Sequence, residues 1–256
     1  MYIPAVWYHR SHMETNEMNQ KHLPVENSES KDKLLPAAVL VAGLLITGAI
    51  IWNGSGQTVT GDVPGIGATP KVNIKNVKID GNPFIGRANA PVTMAVWDDF
   101  QCPYCQKFKL ETLPEIVKNY VDTGKVKIVF MDFPFQGEDS ITGALYSHAI
   151  WKLYPEKYHA WNTAMFTAQD AGGNQGFGDP ASIDKLNATI AGIDAAKVAA
   201  DVKANTSVYQ KMVDDSKAEG QKAGINATPS FIIDTQMIQG AYPYADFKAA
   251  IDKALK

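Results

Sequence analysis

Two cysteines, Cys102 and Cys105, follow an apolar run, Val92-Thr93-Met94-Ala95-Val96-Trp97, and they are the only cysteines in 256 residues. A near-continuous apolar run of this length suits a strand covered on both faces of a sheet. The Cys102-Pro103-Tyr104-Cys105 segment then opens a helix, and Pro103 fits an early helical position because its missing N–H would be unpaired there anyway. A cysteine in the first turn feels unpaired backbone N–H groups and the positive end of the helix dipole. Both favour thiolate over thiol and make the sulfur a nucleophile near neutral pH. The second cysteine, one turn on, reaches back to close a small disulfide.

Two other uses of the pair are weaker. A structural disulfide across two residues closes too small a loop to stabilise much through chain entropy. Half of a zinc site would need two more ligands. Of the five histidines, His9, His12 and His22 precede a long apolar span, and His148 and His159 lie in helical sequence. The net charge of −3 comes without any basic tract, so the composition gives no sign of nucleic-acid binding.

The apolar span runs from Leu34 to Trp52, 19 residues without a charge. As a helix it would measure about 28 Å, enough for a hydrocarbon core of about 30 Å. A cleavable signal peptide has a shorter apolar core behind a short basic start. Here a polar stretch of 33 residues comes first, so an uncleaved anchor is expected. Arg10, Lys21, Lys31 and Lys33 precede the span, and the first basic residue after it is Lys71. The positive-inside rule places the N-terminus in the cytoplasm and the rest outside, where disulfides persist. Residues 1–33 read as a disordered cytoplasmic tail. Residues 53–71, rich in glycine with two prolines, read as a flexible tether.

Residues 72–256 read as globular. Val72 to Ile79 alternates and is expected as an edge strand. After the Cys pair, Phe108, Leu110, Leu113, Ile116, Val117 and Tyr120 recur at roughly helical spacing, with a stop near Thr123-Gly124. Lys125 to Phe133 reads as a strand. Helices are expected over Ser140–Leu153 and Pro155–Ala168, then after the N-caps Asp179 and Asp194, the last running to about Lys222. A strand from Ser230 to Asp234, a turn at Thr235-Gln236, a partner strand from Met237 to Gln239 and a helix from about Tyr244 to Leu255 complete the chain. Strand, Cys-x-x-Cys helix, strand, then hairpin and terminal helix outline an α/β thioredoxin fold.

Four blocks then carry a resemblance. Gly86-Arg87-Ala88-Asn89-Ala90-Pro91-Val92-Thr93 through Asp98-Asp99-Phe100-Gln101-Cys102-Pro103-Tyr104-Cys105 resembles the DsbA-like thiol:disulfide oxidoreductases of the membrane-anchored bacterial kind. Val129-Phe130-Met131-Asp132-Phe133-Pro134 resembles their second core strand. Gly224-Ile225-Asn226-Ala227-Thr228-Pro229-Ser230-Phe231 resembles their cis-proline loop, and Gly240 to Phe247 their turn into the last helix. The step of 96 residues from Phe133 to Pro229 matches an inserted helical domain, placed at about 139–222. One departure concerns the acid that such proteins often carry six residues before the first cysteine, which here is Val96. Asp98 and Asp99 are the nearest carboxylates. Asp99 is the candidate for proton handling, with helix capping or a solvent-facing position as its alternative.

The resemblance implies thiol–disulfide exchange, with no cofactor beyond the Cys102–Cys105 disulfide. A substrate thiolate attacks an exposed Cys102 sulfur and a second substrate cysteine resolves the mixed disulfide. Pro103 and Tyr104 tune the pair, and Thr228 and Pro229 face it and line the substrate groove. Oxidase, isomerase and reductase share this chemistry. The resemblance and the single redox domain favour an oxidase acting on cysteine-containing secreted or envelope proteins. It would be re-oxidised by a quinone-linked membrane partner like DsbB or vitamin-K-epoxide reductase. A membrane-tethered module binding metal through the two thiols is the alternative of a different class.

Overall fold

The computed structural model describes residues 72–170 and 176–256. The expected tail, anchor and tether, residues 1–71, lie outside these. Among the described residues no helix is long and apolar enough to cross a membrane.

Five strands form one sheet: β1 (Phe84–Ile85), β2 (Val92–Asp98), β3 (Val126–Asp132), β4 (Ser230–Ile233) and β5 (Gln236–Gln239), in the order β1-β3-β2-β4-β5. β2 is central, parallel to β3 and antiparallel to β4. Its side chains alternate between two cores, as the apolar run requires. Met94 and Val96 face the larger core, together with Phe108, Ile128 and Phe130. Ala95 and Trp97 face a smaller one, with Met131, Ile225 and Ile232.

The redox helix follows β2 as α1 (Pro103–Lys107), a π-helical turn (Phe108–Thr112), α2 (Leu113–Ile116) and a second π-helical turn (Val117–Val121). Pro114 offers no N–H and would crowd the carbonyl four residues back. The chain widens just before it, and Leu113 N–H bonds to the Phe108 carbonyl instead. Cys105, Phe108, Thr112, Leu113 and Ile116 mark the inner face at helical spacing, so Leu110, expected inside, is 39% exposed and Lys109 is 2% exposed.

Among the described residues, four α-helices lie between β3 and β4: α3 (Glu138–Leu153), α4 (Tyr158–Ala168), α5 (Pro180–Thr189) and α6 (Ala195–Lys222). They form the helical insertion. Asp179 caps α5 by accepting from Ser182 N–H, and Asp194 caps α6 by accepting from Lys197 N–H. α7 (Tyr244–Ala254) closes the chain against the redox helix and the sheet, with Phe247 packed on Phe108 and Phe231.

Two expectations need correction. Val72–Ile79 forms no strand; its core is a 3-10 turn, Ile74–Asn76, capped by Asn73, whose side chain accepts from Lys75 N–H. This local bond competes with sheet pairing. The hairpin turn falls on Asp234-Thr235 rather than Thr235-Gln236, with Asp234 at φ 54°.

Candidate active site

Cys102 is the N-cap of α1 and Pro103 occupies its first turn. Cys102 N–H donates to the Asp99 carbonyl at 3.0 Å, and Gln106 N–H donates to the Cys102 carbonyl at 3.1 Å. The sulfur is thereby held over the start of the helix, where backbone N–H groups are free. Both cysteines are free thiols.

The two sulfurs differ sharply in acidity. The Cys102 thiol is brought down to about 6. The main cause is a hydrogen bond from the Cys105 thiol, opposed by burial and assisted by Thr228 and by the Cys105 and Tyr104 backbone N–H groups. The neighbouring thiol is thus the largest single cause, ahead of either backbone N–H at the helix start. Cys105 is pushed well up, first by burial, then by its bond to Cys102 and by the charges of the Cys102 thiolate and Asp98.

The Thr228–Pro229 bond is cis. The Thr228 carbonyl lies 3.5 Å from Cys102 Sγ, where it accepts from the thiol form. Pro229 is buried, and its carbonyl accepts from Gly240 N–H at 2.8 Å. Tyr104, 64% exposed, borders a cleft of about 380 Å³ lined also by Thr228, Gln239, Gly240, Ala241, Tyr242 and Pro243. Cys102 itself is only 3% exposed, a correction to the expected exposed sulfur.

Asp99 is also corrected. It is buried, and its Oδ1 accepts from Gln101 N–H at 2.8 Å. Its Oδ2 accepts from Phe135 and Gln136 N–H at 2.9 and 3.2 Å. It neither faces solvent nor aims at a sulfur; it ties the redox loop to the segment after β3. The carboxylate on the side of the Cys pair is Asp98. It shares the sheet face of Val96 because side chains alternate with period two. Asp98 Oδ2 lies 2.6 Å from Lys109 Nζ, and both side chains are buried. Burial raises Asp98 to about 6, against the pull of Lys109, and burial also lowers Lys109. The residue reading passed over Lys109 because a lysine in a helix normally marks a solvated face. Its four-residue spacing from Cys105 was the available signal.

Among the described residues no group of three or more His, Cys, Asp or Glu side chains is placed to hold a metal. His148 Nε2 lies 2.8 Å from Asp132 Oδ2 inside the protein.

A thioredoxin-type sheet, an acidic thiol at a helix cap, a buried partner thiol and a facing cis-proline loop define a thiol:disulfide oxidoreductase. The chain belongs to the thioredoxin family, whose model matches residues 78–253. It is 29% identical to disulfide bond formation protein D of Bacillus subtilis (strain 168), over 70% of this chain and 79% of that protein. It is 28% identical to a probable disulfide bond formation protein D of Bacillus anthracis, over 67% of this chain and 77% of that one. The oxidised crystal structure of BdbD from Bacillus subtilis superposes with a TM-score of 0.64 at 28% identity, covering 70% of this chain and 95% of that one. Chlamydia trachomatis DsbA shares the fold, with a TM-score of 0.60 at 20% identity, over 69% and 92% of the two chains. With the site geometry, these similarities make this chain a protein disulfide oxidoreductase.

Proposed function

We propose that this chain is an extracytoplasmic oxidase that donates the Cys102–Cys105 disulfide to cysteine-containing secreted or envelope proteins. The observation that carries the reading is the Cys102 thiol brought down to about 6 beside a Cys105 thiol pushed up. A thiolate stabilised in the reduced enzyme favours the reduced form, which makes the disulfide oxidising. It also makes Cys102 a good leaving group when a second substrate thiolate resolves the mixed disulfide. Cys102 is the attacked sulfur and Cys105 the released one. Pro103 and Tyr104 shape the cap and rim. Thr228 and Pro229 line the groove, where the backbone beside Pro229 pairs with an extended substrate segment in the manner of strand addition.

The uncharged 34–52 span supports a single-pass anchor with the N-terminus in the cytoplasm. An anchor would keep the enzyme close to a quinone-linked membrane re-oxidant, raising the effective concentration of each. Equilibrating the full chain against glutathione mixtures tests the direction. A potential above about −200 mV fits an oxidase, whereas a value near about −270 mV fits a reductase and overturns the reading. Alkaline phosphatase fused after Lys256 should be active, and fused after Lys33 inactive; the reverse pattern overturns the topology.

A further inference from the structure

We propose that Gln106 is a positioning residue for Cys102: its carboxamide fastens the first turn of the redox helix to the carbonyl end of α4, and this joint sets how firmly the helix start holds the thiolate. The inference rests on the reading above in one respect, that Cys102 is the attacked sulfur. Gln106 follows Cys105 and is partly buried. Its backbone N–H donates to the Cys102 carbonyl at 3.1 Å. Its side-chain Nε2 donates to the Phe166 carbonyl at 2.9 Å and to the Gln169 carbonyl at 3.1 Å. One residue therefore bonds the nucleophile's own peptide through its main chain and the helical insertion through its side chain.

α4 stops at Ala168, so the Phe166 carbonyl is among the last four of that helix, which have no partner within it. Those carbonyls carry the negative end of the helix dipole. They meet the turn whose positive end stabilises the Cys102 thiolate, and the Gln106 carboxamide stands between the two. The preceding residues are held as well. Gln101 Nε2 donates to the Phe177 carbonyl at 2.9 Å, and Gln169 Nε2 donates to the Phe100 carbonyl at 2.9 Å. The Phe100 ring lies so close to α3 that a Cβ at Gly143 would stand 2.9 Å from it, and a Cβ at Gly178 would collide with Gln101 Nε2. Phe100 and Gln101 are thus fixed on the insertion before the cysteines, and Gln106 fixes the turn after them.

Of the groups that stabilise the Cys102 thiolate, the Cys105 thiol and the Cys105 and Tyr104 N–H groups all lie in the turn that Gln106 closes, and Thr228 faces it from the cis-proline loop. A turn free to shift against α4 would move those donors away from the sulfur. Carbonyls left without donors would also set an uncompensated negative pole against the same turn. The charged side chains around the joint are otherwise engaged or solvated. Lys107 is exposed, the Asp170 carboxylate accepts from Phe177 N–H at 2.8 Å, and Lys109 Nζ lies 2.6 Å from Asp98 Oδ2. The joint itself is made of neutral groups, so it acts by placement and carries no proton of its own.

The test uses the full chain and two variants. Gln106→Met keeps the side-chain length and removes the donors, whereas Gln106→Asn keeps the carboxamide but is one methylene too short to reach α4. Iodoacetamide alkylation of Cys102 in the reduced protein is followed from pH 5 to 9. The disulfide equilibrium is read in glutathione mixtures, and urea unfolding is measured alongside. Both variants should be alkylated about two- to fivefold more slowly at pH 6, the size of a charge effect at a helix end. Their disulfide should be less oxidising by the same factor. Gln106→Asn carries the test if Gln106→Met does not fold. A lower urea midpoint with the alkylation profile and the equilibrium at wild-type values would leave Gln106 a structural strut and overturn the proposal. A shift in Gln106→Met with none in Gln106→Asn overturns it too, since the carboxamide would then act without reaching α4. A wild-type potential in the reductase range overturns the oxidase reading alone, and the difference between wild type and variants still decides the joint.

Discussion

Trp97 Nε1 donates a hydrogen bond of 3.0 Å to the backbone carbonyl of Ser216. The central strand is thereby tied to α6 of the helical insertion. The Ser216 hydroxyl in turn accepts from Asp132 N–H at 2.8 Å, so one helical turn holds the ends of both parallel strands. The close approach depends on Gly220, where an added Cβ would stand 2.7 Å from Trp97 Nε1 and 2.8 Å from its Cδ1.

Gly220→Ala should therefore destabilise the protein. Helix propensity alone would favour alanine by about 1 kcal/mol. Overpacking against a fully buried indole costs about 1–3 kcal/mol. Urea unfolding should show a lower midpoint; a raised midpoint would mean that α6 sits farther from Trp97 than the structure has it.

Cys105→Ala should raise the Cys102 pKa from about 6 toward the ordinary thiol range, because the Cys105 thiol is the largest cause of its lowering. The variant should also accumulate mixed disulfides, since the intramolecular resolving thiol is gone. Alkylation of Cys102 across pH reads the first effect and non-reducing gels the second. A midpoint still near 6 would shift the credit to the backbone N–H groups and Thr228.

Asp99→Ala should cost about 1–3 kcal/mol, since the buried Gln101 N–H and the part-buried Phe135 and Gln136 N–H groups lose their acceptor. The pH profile of Cys102 alkylation should stay where it is. A shifted profile with unchanged stability would restore a proton-handling role to Asp99.

The contrast between Asp99 and Asp98 shows what the sequence could reveal. Signals confined to a few residues read correctly. The apolar strand before Cys102, the caps at Asp179 and Asp194, and the spacing that demanded a helical insertion all took their expected places. The Val72–Ile79 alternation misled because Asn73 satisfies its backbone locally. β1, only Phe84 and Ile85, is too short to carry a period. The Lys109–Asp98 pair was hidden for a different reason. Helical spacing from Cys105 puts Lys109 on the inner face, but it does not show the carboxylate that waits there on β2.

The difference in stability between the reduced and oxidised forms should grow with pH from about 6 to about 9. In reduced folded protein Cys102 ionises near 6, against an ordinary thiol value of 9.0. Below 6 the thiol is protonated in both folded and unfolded chains and contributes nothing. Between the two values the unfolded chain binds the extra proton, so stability rises with pH. Above 9 the Cys102 contribution is complete. Cys105 then acts in the opposite sense, because its raised pKa keeps it protonated only in the folded chain. The oxidised form has neither titration and supplies the baseline. Urea unfolding of both forms at pH 5, 7 and 8.5 measures the difference, and Cys102→Ser in the reduced form should abolish its rise. A difference flat over this range would mean that Cys102 is not an acidic thiol, and the physical basis for an oxidising disulfide would go with it.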